Sequence, residues 1–295
     1  VVSRSVVVLV VACALVLLTA TEPKRPARDV RATDDSAAPV VAVEPVSAAF
    51  VAAPAPVTPA EVAIPHMSDD LGCPKGMVLV DGDECSEVEQ PCLEWMAEPA
   101  GGDPMRCLHF GSSRCVGHTT HARFCIDRFE YPNVEGGLPA VMMSWERASS
   151  RCADRGRRLC KGAEWTLACE GEERLPYPYG FDRDDTACNI DRPVSGPFPH
   201  WVENPPKGVT HSLVDWRARS GSMAKCTSPY GVRDMTGNVD EWVVNESGHP
   251  FPSGLKGGYW GPVRDRCRPM TVAHDTKFSF YQIGFRCCED PPRKK

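Results

Sequence analysis

The stretch Tyr230-Gly231-Val232-Arg233-Asp234-Met235-Thr236-Gly237-Asn238-Val239-Asp240-Glu241-Trp242 sets a Gly-Asn turn among acidic residues and closes on a tryptophan. A tight turn of this kind brings backbone carbonyls inward beside carboxylates, and calcium binds about six to eight oxygens of those two types. The segment therefore looks like a calcium site. The plainer reading is a turn whose acids are solvated. Around it, from Gly171 onward, the chain reads as turns and short strands until Phe285-Arg286-Cys287, and no internal repeat is evident.

Upstream the pattern is more regular. Ser144 to Arg155 reads as a helix: Ser144 is a cap, Glu146 lies in the first turn, and Ala148 and Cys152 share a face. Gly156 ends it. Lys161 to Cys169 reads as a second helix, with Trp165 and Cys169 on one stripe. Met77-Val78-Leu79-Val80 reads as a strand bounded by turns at Gly76 and Asp81-Gly82. Phe124 to Tyr131 alternates like a strand. Between them, residues 85–125 hold five cysteines among Gly, Pro and Ser, and read as a stapled loop insertion rather than regular structure.

The chain has 295 residues, with 42% hydrophobic and 24% charged, as in ordinary globular proteins. A net charge of -6 without a basic cluster gives no face for displacing counterions from phosphates, so a nucleic-acid partner is set aside. Of 15 cysteines, one is Cys13 and the rest fall between Cys73 and Cys288. Zinc knuckles would need CxxC pairs, and none occurs. An even cysteine count at irregular gaps fits disulfides, and hence an exported protein that is periplasmic, membrane-anchored or extracellular. The apolar run Val6–Ala20 fits a signal peptide or an N-terminal membrane anchor over 1–20. Residues 21–72, rich in Ala, Pro and Val, fit a disordered linker. A single domain over 73–295 follows.

Its landmarks, in order, resemble the formylglycine-generating enzyme, or sulfatase-modifying factor, family. They are Gly76–Val80, Phe124–Tyr131, Ser144-Trp145 with Cys152, Arg158–Trp165, Tyr177–Gly180, Cys188–Ile190, Tyr230–Trp242, Lys256–Gly258 and Gly284–Cys287. The resemblance implies an α/β fold of low regular secondary structure, related to the C-type-lectin-like architecture. It also implies disulfides Cys152 to Cys287 and Cys169 to Cys267. Cys188 and Cys226 flank one loop region and are expected to pair; the other eight cysteines are left open. The calcium ligands implied are Asp234, the carbonyls of Gly237 and Val239, and the Glu241 carboxylate. Asn189 and Ile190 match part of a second family calcium site, whose acidic half is not recognisable.

At the family's catalytic centre the sequence departs. Family oxidases hold copper(I) between two thiolates, a soft ligand set suited to that metal. Here the matching interval is Tyr259-Trp260-Gly261-Pro262-Val263-Arg264-Asp265-Arg266, with no cysteine, and Tyr259 replaces a serine. Copper and formylglycine generation are therefore not expected. Tyr259, Trp260, Arg264, Arg266, Arg268 and His274 are the residues expected to line the groove that replaces the active site, suiting an acidic or polar ligand. The plainer reading is surface charge beside Asp265. His118 and His121, three apart, would clasp a metal only if helical. Trp145, Trp165, Trp242 and Trp260 are most simply core. The expected function is a binding or structural module for a polar small molecule, peptide or protein. The alternatives are a divergent periplasmic oxidoreductase and an accessory protein that binds enzymes of the same family.

Overall fold

Met77–Cys85 alternates buried and accessible side chains, and in the computed structural model it forms one nine-residue strand, β1. The structure describes residues 72–96, 105–193 and 215–291. The expectations for residues 1–20, and for all but the last residue of 21–72, lie outside the described residues.

The Asp81-Gly82 step does not end β1 as a turn. β1 continues through it, with Asp81 opposite Arg123 and Gly82 opposite Ala122 on β6 (Thr119–Asp127). A side chain at 82 would run into the Tyr230 hydroxyl, so the glycine serves close approach of a neighbour rather than a bend. Nor is 85–125 a loop insertion. It contains β2 (Val88–Glu89), β3 (Cys92–Trp95), β4 (Cys107–Phe110) and β5 (Arg114–Cys115), with β2 paired to β5 and β3 to β4. Cys85–Cys115 and Cys92–Cys107 cross-link these nested arms, which supplies the closure that their short runs lack in the sequence pattern.

Two helices follow. In α1 (Trp145–Ala153) the Ser144 hydroxyl accepts from the Arg147 amide at 3.3 Å, and the buried residues are Ala148 and Cys152. In α2 (Gly162–Glu170) Glu164 reaches back to accept from the Lys161 amide at 2.9 Å. It also takes both terminal nitrogens of Arg158 at 2.7 Å. Gly171 ends α2 at φ 64°, where a Cβ would meet the Pro229 ring at 2.7 Å.

The remaining strands are β7 (Arg158–Leu159), β8 (Asp240–Val244), β9 (Ser253–Lys256), β10 (Met270–Thr271), β11 (Ile283–Phe285) and β12 (Cys287–Glu289). One sheet runs β1-β6-β12-β7 and another β10-β9-β8-β11, the latter with a parallel β8–β11 pair. One core cluster packs Trp165 and Leu167 of α2 against Val78, Val80, Phe124 and Ile126. A second packs Ala148 and Cys152 of α1 against Trp242, Leu255, Ile283 and Phe285. Trp165 and Trp242 are fully buried, Trp260 is buried, and Trp145 is half-buried with its indole N–H on the Val243 carbonyl. Two nine-residue helices and mostly short strands make an α/β fold of low regular content. Among the described residues, no helix is long and apolar enough to cross a membrane.

All fourteen cysteines from Cys73 to Cys288 are in disulfides. Besides the two hairpin links these are Cys73–Cys125, Cys152–Cys287, Cys160–Cys288, Cys169–Cys267 and Cys188–Cys226. Successive strand residues face opposite ways, so neighbouring Cys287 and Cys288 reach different partners and fall in different core clusters. Cys160–Cys288 spans 128 residues and Cys92–Cys107 only 15. Loop-closure entropy grows with span, and losing a native disulfide costs about 2–5 kcal/mol. Replacing Cys160 and Cys288 together by serine is therefore expected to lower the urea midpoint more than the same change at Cys92 and Cys107. Equal midpoints would mean that the long-range link adds nothing to the packing around it.

Candidate functional site

The turn before β8 is held by left-handed backbone at Asp234 (φ 58°), Gly237 (73°) and Asn238 (59°). A side chain at 237 would run into the Asn189 carbonyl, so only glycine fits. Asn238 ties the turn together: its amide donates to Glu130 Oε1 at 2.7 Å and accepts from the Ala218 amide at 2.8 Å and from Asn189 Nδ2 at 3.0 Å. Beneath lies a buried ion pair. Arg286 gives Nε to Glu241 Oε2 at 2.7 Å and Nη2 to Oε1 at 2.6 Å, while the Trp165 indole donates to Oε2 at 2.8 Å. The guanidinium also donates to the Asp127 and Arg233 carbonyls. Burial pushes the Asp234 carboxyl up to about 6, and raises Glu130 as well.

This arrangement does not fit the calcium set expected at Asp234, Gly237, Val239 and Glu241. Glu241 spends its oxygens on Arg286 and Trp165, and Asp234 Oδ2 accepts from the Gly221 amide at 2.6 Å. The positive charge opposite Glu241 is a guanidinium. Among the described residues no group of three or more His, Cys, Asp or Glu is placed to hold a metal. His118 and His121 also part company. His118 bonds the Ser86 hydroxyl at 2.9 Å, while His121, on β6 rather than a helix, bridges Asp81 and Asp83 at 3.1 and 3.0 Å.

A cavity of about 210 Å³ opens after β9, and its lining includes Asp240, Gly258, Arg264, Asp265 and Arg266. Gly257 and Gly258, at φ 90° and 79°, let the chain turn closely: a Cβ on 257 would meet the Met235 carbonyl at 2.8 Å, and one on 258 would run into Asp265 Oδ1. Arg183 pins the far side of the loop. It donates to the Val263 and Arg264 carbonyls at 2.9 and 3.0 Å and to Asp265 Oδ2 at 2.6 Å. It also pairs with Asp191, which Arg106 contacts in turn. Asp265 is only 1% exposed, and its Oδ1 has no hydrogen-bond partner among the described residues. Burial raises its carboxyl well above the usual range, against the pull of Arg183.

Asp240 is half-buried as a residue, but desolvation of its carboxyl raises it to about 7, opposed by the Gly258 amide and by Arg264. Arg264 donates to the Thr271 hydroxyl at 3.0 Å. Arg266 lies 5.2 Å over the Phe110 ring, its Nε has no partner among the described residues, and burial lowers its pKa.

Of the six groove residues expected from sequence, the structure brings Arg264 and Arg266 to the cavity. Tyr259 and Trp260 form an edge-on aromatic cluster with Tyr281 beside it. Arg268 is elsewhere, paired to Glu170 at 2.8 and 2.5 Å, where burial lifts that carboxyl to about 6. His274 stacks on Phe278 at 3.9 Å. Neither lines the cavity, because each already has a partner from a different part of the chain. Asp240 and Asp265 were missed as cavity residues. Alternation along β8 was the available signal: Asp240 lies on the opposite face from Glu241, whose side chain goes to the buried ion pair.

If the Arg286–Glu241 pair supplies the charge balance at the turn, chelation is without effect. Withdrawing a calcium bound at a hundredfold excess would remove about 2.7 kcal/mol, a melting drop of several degrees. Dialysis against EDTA is expected to leave the melting temperature unchanged, and a drop restored by calcium would contradict the arrangement. Glu241→Gln is expected to cost about 3–5 kcal/mol, because it strands a buried guanidinium; urea unfolding measures it.

Residues 113–291, well over half of the chain, match the sulfatase-modifying factor enzyme 1-like domain model. Over 175 residues the chain is 30% identical to an inactive C-alpha-formylglycine-generating enzyme 2 of Mus musculus, covering 54% of this chain and 51% of that protein. It is 26% identical over 174 residues to a formylglycine-generating enzyme of Bos taurus, covering 52% and 44%. Among solved structures it is similar to PvdO of Pseudomonas aeruginosa, at 18% identity and a TM-score of 0.45, covering 72% of this chain and 94% of that one. The chain thus spans about half the length of the two relatives. With the family's landmarks carried on two helices and short strands closed by disulfides, this chain belongs to the sulfatase-modifying factor enzyme 1-like domain family.

Proposed function

We propose that this chain is an exported, non-catalytic member of its family that binds a polar ligand, a small molecule or part of a peptide, in the cavity beside Gly257-Gly258. One observation carries the reading. The segment where family oxidases hold copper between thiolates contributes Arg264, Asp265 and Arg266 to the cavity wall, and every cysteine from Cys73 to Cys288 is bonded to another. A soft metal has no thiolate pair to meet there. Charged groups converging on an enclosed space are the means by which a pocket orients a polar molecule. Seven disulfides support export, since such bonds persist in oxidising compartments. The mouse relative, itself called inactive, supports a family scaffold that outlives the reaction.

Two assays on the full chain, made with its disulfides intact, test this. Incubation with copper(I), oxygen and a cysteine-containing peptide is expected to yield no formylglycine by mass spectrometry; copper-dependent conversion would overturn the reading. In a thermal-shift panel of polar metabolites and short peptides, at least one compound is expected to raise the melting temperature. That shift is expected to disappear in Arg264→Gln, and a panel in which every hit persists in that variant would place binding elsewhere.

A further inference from the structure

The cavity's unmet hydrogen bonds narrow the ligand. Buried polar groups are nearly always satisfied, and each left unpaired costs about 1–3 kcal/mol. Here two groups of opposite kind lack partners among the described residues: Asp265 Oδ1, which can only accept while ionised, and Arg266 Nε, which can only donate. Both residues line the same space. Asp240 and Arg264 line it too, the first with only a backbone amide as a hydrogen-bonding partner and the second with only a hydroxyl. A simple cation would answer the carboxyls and leave the guanidiniums unmet, whereas a simple anion would do the reverse. A ligand carrying both signs answers all four.

Size restricts it further. About 210 Å³ is below the roughly 300–1,000 Å³ of pockets that take drug-sized molecules, so the occupant is compact. Leu255, Val263 and Pro269 add apolar wall, room for a short side chain and not for a second charged group.

Resting on the binding reading above, we propose that the cavity takes a free α-amino acid: its ammonium faces Asp240 and Asp265, and its carboxylate faces Arg264 and Arg266. Paired, oppositely charged contacts of this kind give orientation as well as affinity, because a ligand lacking either charge leaves a buried group unpaired.

The test uses the full chain and the twenty L-amino acids as probes, by thermal shift and then by calorimetry on the best. At least one is expected to bind. N-acetylation of that amino acid, which removes the ammonium, and amidation, which removes the carboxylate, are each expected to weaken binding at least tenfold. Asp240→Asn and Arg264→Gln are expected to do the same, while Arg114→Gln, on the exposed β5 arm, changes nothing. The two modified ligands probe the unmodified protein, so they decide the matter even if a variant fails to fold. If the N-acetyl form binds as well as the parent, the ammonium contact is wrong, and binding that still depends on Arg264 leaves the broader reading standing. If no amino acid binds but another polar compound does, with loss in Arg264→Gln, this inference falls alone. If nothing in either panel depends on Asp240 or Arg264, both fall, and the unmet groups are served by ordered water.

Discussion

A strand of three residues, β12, joins the parts of this domain that are far apart in sequence. Its first two positions are cysteines facing opposite ways, one bonded to α1 and the other to the chain just before α2. The Cys287 amide also donates to the buried Asp127 carboxylate at 3.0 Å, which ties β12 to the end of β6. Immediately before it, Arg286 reaches into the ion pair with Glu241 on β8. Four successive structural decisions are thus made within Arg286, Cys287 and Cys288. Short strands and nine-residue helices are marginal by themselves. Here covalent closure and one buried charge pair hold them in register.

That economy has a chemical consequence. A thiol used for closure is lost as a metal ligand, and all fourteen described cysteines are used for closure. The segment between Gly258 and Cys267 keeps the position that the resemblance assigns to the family's copper centre, but its groups are hard and charged. Arg183 fixes the path of that segment through two carbonyls and Asp265, so the cavity wall is braced from behind. Bracing of this kind is what precise binding requires, since a site held by its own second layer of contacts loses little freedom when a ligand arrives.

How much of this could be read from the sequence depends on the scale of the interaction. The helices were legible because their caps and stops are local: Ser144, Glu164, Gly156 and Gly171 act within one turn. The long-range cysteine pairs were legible only through resemblance, as no spacing rule connects Cys152 with Cys287. Cys188 and Cys226 could be named from the loop they flank, whereas the nested pairs within 85–125 could not, and with them went the hairpins that they close. Gly82 misled because a glycine after Asp suggests a turn, and the contact that requires it, with Tyr230, is 148 residues away. At the cavity the arginines were half legible. Charge alone marks Arg264, Arg266 and Arg268 alike, but Glu170 claims the last. Glu241 fits a calcium pattern equally well on paper, and the guanidinium that takes it comes from position 286.

The account stands on sulfur being structural throughout the domain. Digestion of the intact, unreduced chain, with thiols blocked beforehand and peptides identified by mass spectrometry, tests it directly. The predicted result is a Cys152–Cys287 and a Cys160–Cys288 cross-link and no blocked cysteine from Cys73 to Cys288. A blocked pair of free thiols, or Cys287 and Cys288 bonded to each other, would contradict it.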